Sequence, residues 1–94
     1  MQETRHEKSE DIVARKIAEE VILVPIRQKI GDLQNIYTLN EVAAKIWELL
    51  DGQKTLLQIR DVIISEFEIN PEQAQKDLEE FLQKLENIEA IKEV

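Results

Sequence analysis

Residues 37–59 read YTLNEVAAKIWELLDGQKTLLQI, and this stretch decides the fold because it runs from a strand into two helices. The β-prone run Ile36–Leu39 predicts a short strand, and Asn40 directly after it is a strong helix N-cap. Apolar residues then recur at three- and four-residue spacing up to Leu50, which predicts an amphipathic helix. Gly52 lies just past the end of this helix, where glycine is common.

Two further helices follow, and their starts are marked as clearly. Thr55 with Gln58 three residues later forms a capping box for the second helix. Asn70 is the predicted cap of the third helix, with Pro71 at its first position. Both helices have one apolar face, and short amphipathic helices gain most of their stability by packing such faces together. The three helices are therefore expected to form one cluster against a sheet.

Upstream of this stretch the sequence predicts a β-hairpin. β-branched residues are concentrated in Ile12–Ile17 and again in Glu20–Ile26, a composition that favours strands. Pro25 has no N–H for a ladder, so the second strand is expected to be at an edge, bulged or ending there. Gly31-Asp32 indicates a turn before the third strand. Residues 1–11 show no periodicity and are expected to form a flexible lead.

The predicted element order, three strands and then three helices, places the chain in the α+β class. A three-stranded antiparallel sheet followed by a three-helix bundle is expected, within one domain over residues 12–94, because 94 residues support one modest core. The sequence contains no cysteine, no secretory signal and no apolar run of membrane-spanning length, so a cytoplasmic location is expected.

Charge argues against a nucleic-acid partner. The formal net charge is −8, and residues 66–94 carry nine acidic and three basic side chains. Proteins that bind nucleic acid present lysine and arginine to replace phosphate counterions. A winged-helix DNA-binding regulator, which the helical topology suggests, is therefore the weaker alternative.

No constellation of residues indicates catalysis. His6 is the single histidine and lies in the expected lead, where a solvated side chain is the simplest interpretation. Gly31 and Gly52 are too far apart to form a phosphate-binding loop. The helical carboxylates have the spacing of a solvated face and not of converging metal ligands. The chain is therefore expected not to be an enzyme and to hold no cofactor or metal.

A binding function has more support in the sequence. The third strand is short enough to be an edge strand, whose unpaired N–H and C=O groups another chain can complete. Trp47 is expected in the core, whereas Tyr37 either packs on the helices or lies on the surface. If the third helix lies beside this strand, apolar residues of the helix wall a channel that Asp77 and Lys84 rim.

The stretch from Tyr37 to Ile59 resembles the central signature of the PqqD-like family, whose members are recognition elements for ribosomally synthesised, post-translationally modified peptides. The resemblance rests on Leu39-Asn40, Ala44, Ile46-Trp47, Leu50-Asp51-Gly52, Thr55 and Ile59, and it extends to VILVPI upstream and to DLEEFLQKL at residues 77–85. It covers about residues 12–91 and implies a winged-helix-like fold.

The resemblance implies a non-catalytic peptide chaperone in cofactor or natural product biosynthesis. In this family the leader segment of a precursor peptide adds as a strand to the third strand and packs on the third helix. The domain then presents the peptide to a tailoring enzyme, often a radical S-adenosylmethionine protein. The peptide-binding residues expected here are Asn35, Ile36, Tyr37, Thr38, Leu39, Asp77, Leu78, Phe81, Leu82, Lys84 and Leu85.

One feature departs from the family pattern, and another leaves an alternative function open. Glu89-Ala90-Ile91 stands where the family has a glycine, which predicts that the last helix runs on or ends without a left-handed residue. An exposed edge strand also permits pairing with a second copy, so a homodimeric adaptor is a further alternative.

Overall fold

The computed structural model describes residues 3–26 and 37–94. Within these ranges the chain forms six strands and three helices, and its class is α+β as predicted. In chain order they are β1 (Arg5–Lys8), β2 (Ile12–Ile17), β3 (Glu20–Pro25), β4 (Tyr37–Leu39), α1 (Glu41–Leu49), β5 (Asp51–Thr55), α2 (Leu56–Phe67), α3 (Pro71–Asn87) and β6 (Ile91–Glu93).

The first sheet is the predicted one. It is antiparallel with the order β2-β3-β4, so the hairpin and the third strand are confirmed. A two-residue turn joins β2 to β3, and its first residue, Ala18, has a φ of +57° where such hairpins favour glycine. β3 ends at Pro25, as expected for a residue without an N–H. The turn predicted at Gly31-Asp32 and the residue Ile36 lie outside the described residues.

Each helix starts at its predicted cap. The side chain of Asn40 caps α1, and Thr55 and Gln58 make both hydrogen bonds of the capping box of α2. Asn70 caps α3, with Pro71 at the start of the helix. These caps satisfy N–H groups that have no partner inside a helix.

A second sheet was not predicted. It has the order β5-β1-β6 and is antiparallel throughout. β1 is its central strand, so the expectation that residues 1–11 form no folded element is wrong for Arg5–Lys8. Short polar strands of this kind have no periodic signal, and β1 is ordered because it pairs with neighbours on both sides. Gly52, with a φ of +79°, is the second residue of β5 and does not simply end a helix.

The position of His6 is also a correction. This side chain was expected in solvent, but it is only 7% exposed because it lies in the central strand of the second sheet. Its Nε2 atom is 3.9 Å from Oε1 of Glu86 on α3. Its Nδ1 atom is buried and has no hydrogen-bond partner among the described residues.

Lys8, at the other end of β1, connects this strand to α1. Its Nζ atom lies 5.6 Å from the ring centroid of Trp47, a cation–π contact. Partial burial lowers the pKa of Lys8, and the carboxylates of Asp51 and Glu48 oppose that shift. The pKa of Asp51 is itself held far below its usual value, first by the hydrogen bond from the Lys54 side chain.

The helices and both sheets share one hydrophobic core, to which Trp47 belongs as predicted. Its buried residues are Leu23, Leu39, Ile46, Trp47, Leu50, Leu56, Ile59, Ile63, Ala74, Leu78, Leu82, Leu85, Ala90 and Ile91. In the described part of the chain, no helix is both long enough and apolar enough to cross a membrane.

The end of α3 differs from the expectation that it lacks a left-handed residue. Glu89 has a φ of +58°. The N–H of Ala90 donates to the carbonyl of Leu85 (2.8 Å), and that of Glu89 donates to the carbonyl of Glu86 (3.0 Å). These two bonds are the Schellman motif, in which the left-handed position is usually glycine. α3 therefore stops at a defined point and the chain turns directly into β6.

We expect Glu89→Gly to stabilise the protein. A residue with a Cβ atom in the left-handed region costs about 1–2 kcal/mol, and glycine avoids that cost but loses more entropy on folding. The expected net gain in the free energy of unfolding is about 0.5–1 kcal/mol, measured by urea denaturation. Lys76→Gly, at an exposed position inside α3, is the control and should lose about 1 kcal/mol. A loss of stability in both variants would contradict this account of the helix end.

Candidate functional site

The candidate site begins at the free edge of the first sheet. β4 pairs with β3 through Tyr37, Thr38 and Leu39, and no other described strand lies on its opposite side. Asn40 follows at once as the cap of α1, so the strand is held between a sheet neighbour and a helix start. This geometry leaves main-chain N–H and C=O groups along one side of β4.

β4 differs in charge from the other edge strands. Four strands of the described chain are at sheet edges: β2, β4, β5 and β6. β2 carries Arg15 and Lys16, and β5 and β6 also contain charged residues, which protect an edge against pairing with another chain. The residues of β4 carry no charge. Among the described edges, β4 is therefore the one suited to accept a further strand.

A groove of about 230 Å³ lies beside this edge. We call it the β4–α3 groove, and it is bounded by β4, by the first turns of α1 and by one side of α3. It is lined by Tyr37, Thr38, Leu39, Asn40, Val42, Ala43, Ile46, Asp77, Glu80, Phe81 and Lys84. Its floor is apolar and its α3 rim is charged, an arrangement found in sites that hold a ligand by apolar contact and orient it by polar groups.

The structure brings six of the predicted site residues together on this groove: Tyr37, Thr38, Leu39, Asp77, Phe81 and Lys84. Tyr37 was expected either on the helices or at the surface, and it is half-buried against the core while it also lines the groove.

Three predicted wall residues lie elsewhere. Leu78, Leu82 and Leu85 are buried in the core because their spacing puts them on the inner face of α3. Leu78 and Leu82 border a different cavity, on the other side of the helix. The remaining two predicted residues, Asn35 and Ile36, lie outside the described residues.

The contribution of α1 was missed at the sequence level. The apolar periodicity of α1 predicted only a packing face, but Val42, Ala43 and Ile46 of this helix also form the floor of the β4–α3 groove. Their position in sequence could have predicted this role. Only Asn40 separates β4 from α1, so the first turns of the helix must lie beside the strand. Glu80 on the rim was also missed.

Three charged side chains rim the α3 side of the groove: Asp77, Glu80 and Lys84. The side chain of Gln73 donates a hydrogen bond to Asp77 (2.7 Å), which holds this carboxylate in place. Lys84 has no ion pair with any of the described residues and is exposed. The described residues contain no group of three or more side chains placed to bind a metal ion.

The chain is thus an α+β domain whose first sheet exposes an uncharged edge beside a groove walled by a helix. The family model described as coenzyme PQQ synthesis protein D (PqqD) matches residues 19–91. The chain belongs to this family, as the sequence resemblance predicted.

One solved structure is similar over nearly the whole chain: TbiB1 in complex with the TbiA(beta) leader peptide. The TM-score is 0.73 and the sequence identity is 29%, over 92% of this chain and 94% of that chain. A search of curated proteins gave no match.

Shortening a side chain to alanine should destabilise the protein more on the core side of α3 than on the side that lines the β4–α3 groove. Leu85→Ala removes a fully buried side chain and should lower the free energy of unfolding by about 2–5 kcal/mol. Phe81→Ala removes a half-buried ring from the groove and should cost about 1–2 kcal/mol, because part of its surface is already in water. Urea denaturation measures both values, and a larger loss for Phe81→Ala would place Phe81 in the core.

Proposed function

We propose that this protein is a non-catalytic peptide chaperone that binds the leader segment of a ribosomal precursor peptide. The leader adds as an antiparallel strand to the free edge of β4 and packs into the β4–α3 groove. The observation that carries the proposal is the uncharged edge of β4 beside this groove, whose floor is apolar and whose rim is charged. Membership of the PqqD family and similarity to a protein solved with a leader peptide support it.

Strand addition explains how such a site combines affinity with selectivity. Main-chain hydrogen bonds to β4 give affinity that does not depend on the leader's sequence, and pockets for alternate side chains give specificity. Tyr37 and Leu39 point to the helix side of the sheet, and their side chains line the groove together with Phe81. Alternate residues of the added strand would therefore enter the groove.

The bound leader is presented to a tailoring enzyme, such as a radical S-adenosylmethionine protein, in the cytoplasm. Holding the leader and the enzyme together raises the effective concentration of the part of the precursor that is modified. The protein does no bond chemistry of its own in this proposal. His6 supports that assignment because it is buried in the second sheet, while the groove is lined from β4, α1 and α3.

The two alternative functions have less support. A DNA-binding regulator needs a basic recognition helix, whereas α3 contains five acidic and two basic residues. A homodimer that pairs through β4 uses the same edge as the leader, so the two uses compete and the binding experiment separates them.

A synthetic leader peptide from a short open reading frame beside this gene tests the proposal by an amide-resolved NMR titration. We expect saturable shifts at Tyr37–Leu39 and at Asp77–Lys84. Tyr37→Pro should abolish binding, because proline removes an N–H and distorts the strand, while the helices stay folded. Unchanged affinity in that folded variant would mean that β4 is not the docking edge. Sedimentation at several concentrations would reveal a homodimer.

The two phenylalanines of the chain form a matched pair of binding variants. Both are half-buried against the core, but Phe81 lines the β4–α3 groove and Phe67 borders a different cavity. Phe81→Ala should weaken leader binding by roughly tenfold or more, since a buried aromatic contact of this size is worth about 1–2 kcal/mol. Phe67→Ala should leave the affinity within about twofold. Fluorescence anisotropy of a labelled leader measures both, and equal losses would contradict the assignment of the groove.

A further inference from the structure

A second groove lies on the opposite side of α3, and the leader-binding proposal does not use it. We call it the β1–α3 groove, and its volume is about 600 Å³. Its walls come from α3 and from the β1 and β6 strands of the second sheet. It is lined by Thr4, His6, Leu56, Gln75, Leu78, Glu79, Leu82, Gln83, Glu86, Ile91, Lys92 and Glu93.

The rim of the β1–α3 groove is acidic. Glu79, Glu86 and Glu93 line it, and an adjoining cavity that shares Glu86 adds Glu10 and Glu89. In the described part of the chain, no lysine or arginine nitrogen lies within 4 Å of these five carboxylates. Among the described residues of the lining, Lys92 is the one lysine or arginine, and its Nζ atom is paired with Oε1 of Glu7 at 3.2 Å. Much of the charge of residues 66–94 is therefore collected here.

The base of this groove holds a polar group without a partner. The floor is apolar, formed by Leu56, Leu78, Leu82 and Ile91, all buried. His6 lies among them, and its buried Nδ1 atom has no hydrogen-bond partner among the described residues. A buried polar atom left unpaired costs free energy, and a donor that a bound partner inserts at the base of the groove would remove this cost.

From these observations we infer that the β1–α3 groove is the docking surface for a basic, apolar-centred segment of the tailoring enzyme. Lysine and arginine side chains of that segment would meet the acidic rim, and its apolar side chains would cover the floor. Nucleic acid and anionic lipid carry the same sign of charge as the rim and are repelled. This inference rests on the proposed function, since it assumes an enzyme that uses the bound leader.

The position of the groove allows both partners to bind at once. In α3, Asp77, Phe81 and Lys84 face the β4–α3 groove, whereas Glu79 and Glu86 face the β1–α3 groove. Successive residues of a helix are rotated by about 100°, so residues 77 and 79 point to nearly opposite sides. The buried stripe of α3 separates the two grooves. A leader-loaded chain can therefore dock on the enzyme without releasing the peptide.

The double variant Glu79→Lys with Glu86→Lys tests the inference. The probe is the purified modifying enzyme encoded beside the precursor, and biolayer interferometry measures its affinity for the leader-loaded chain. We expect at least roughly tenfold weaker enzyme binding, since reversed rim charges replace attraction with repulsion. Leader affinity, measured separately by anisotropy, should stay within about twofold. If the wild type does not bind the leader, the proposed function is refuted, and the groove inference that rests on it is refuted as well.

Glu19→Lys with Glu20→Lys is the matched control, because it changes the net charge equally at the exposed hairpin turn. Enzyme affinity should change by less than about threefold in this variant. Equal weakening in both double variants would mean diffuse attraction and would overturn the inference, as would no weakening in either. A further outcome is that the chain alone self-associates and that the Glu79→Lys, Glu86→Lys double variant abolishes this self-association. That result would assign the groove to a second copy of the chain and would overturn the inference.

His6→Leu provides a second, independent readout. Leucine has no unpaired polar atom, so the melting temperature of the isolated chain should rise while enzyme binding weakens and leader affinity is retained. Circular dichroism follows the melting. A lower melting temperature with unchanged enzyme binding would make His6 a purely structural residue and would remove it from the docking surface.

Discussion

The buried stripe of α3 is the contact on which the rest of this structure depends. Ala74, Leu78, Leu82 and Leu85 recur at three- and four-residue spacing and are almost completely buried. Burying this stripe fixes the rotation of the helix about its axis, and that rotation decides which residues border each groove. Phe81 borders one groove and Glu79 the other for this reason. One packing constraint therefore positions both surfaces.

The first sheet and the three helices were predictable because their signals are local. Asn40, the Thr55–Gln58 capping box and Asn70 mark helix starts within four residues, and β-branched residues mark the hairpin. The second sheet was not predictable in this way. Its strands are short and polar, with no periodicity of their own, and they form only through pairing of distant segments. His6 was misplaced for the same reason, since its burial depends on neighbours that the local sequence does not reveal.

The candidate site was predictable in part. The edge strand and the α3 residues Asp77, Phe81 and Lys84 come together on one groove, as expected. Leu78, Leu82 and Leu85 do not, because an apolar pattern identifies the inner face of a helix but not which flank remains open to a ligand. The floor from α1 was missed because its residues both pack the core and border the groove. Periodicity alone does not separate these two roles.

The central position of β1 has a consequence for the order of folding. Arg5 pairs with Thr55 and His6 with Glu93, so the second sheet joins segments 50 and 87 residues apart. Closing loops of that size costs chain entropy before the strand pairing can offset the cost. By contrast, α2 and α3 are close in sequence and pack directly on each other. During synthesis β1 is made before both of its sheet partners, so the second sheet is complete only after β6 has been made. The helical core is thus expected to assemble early, and the β1–α3 groove forms only after β6 has paired with β1.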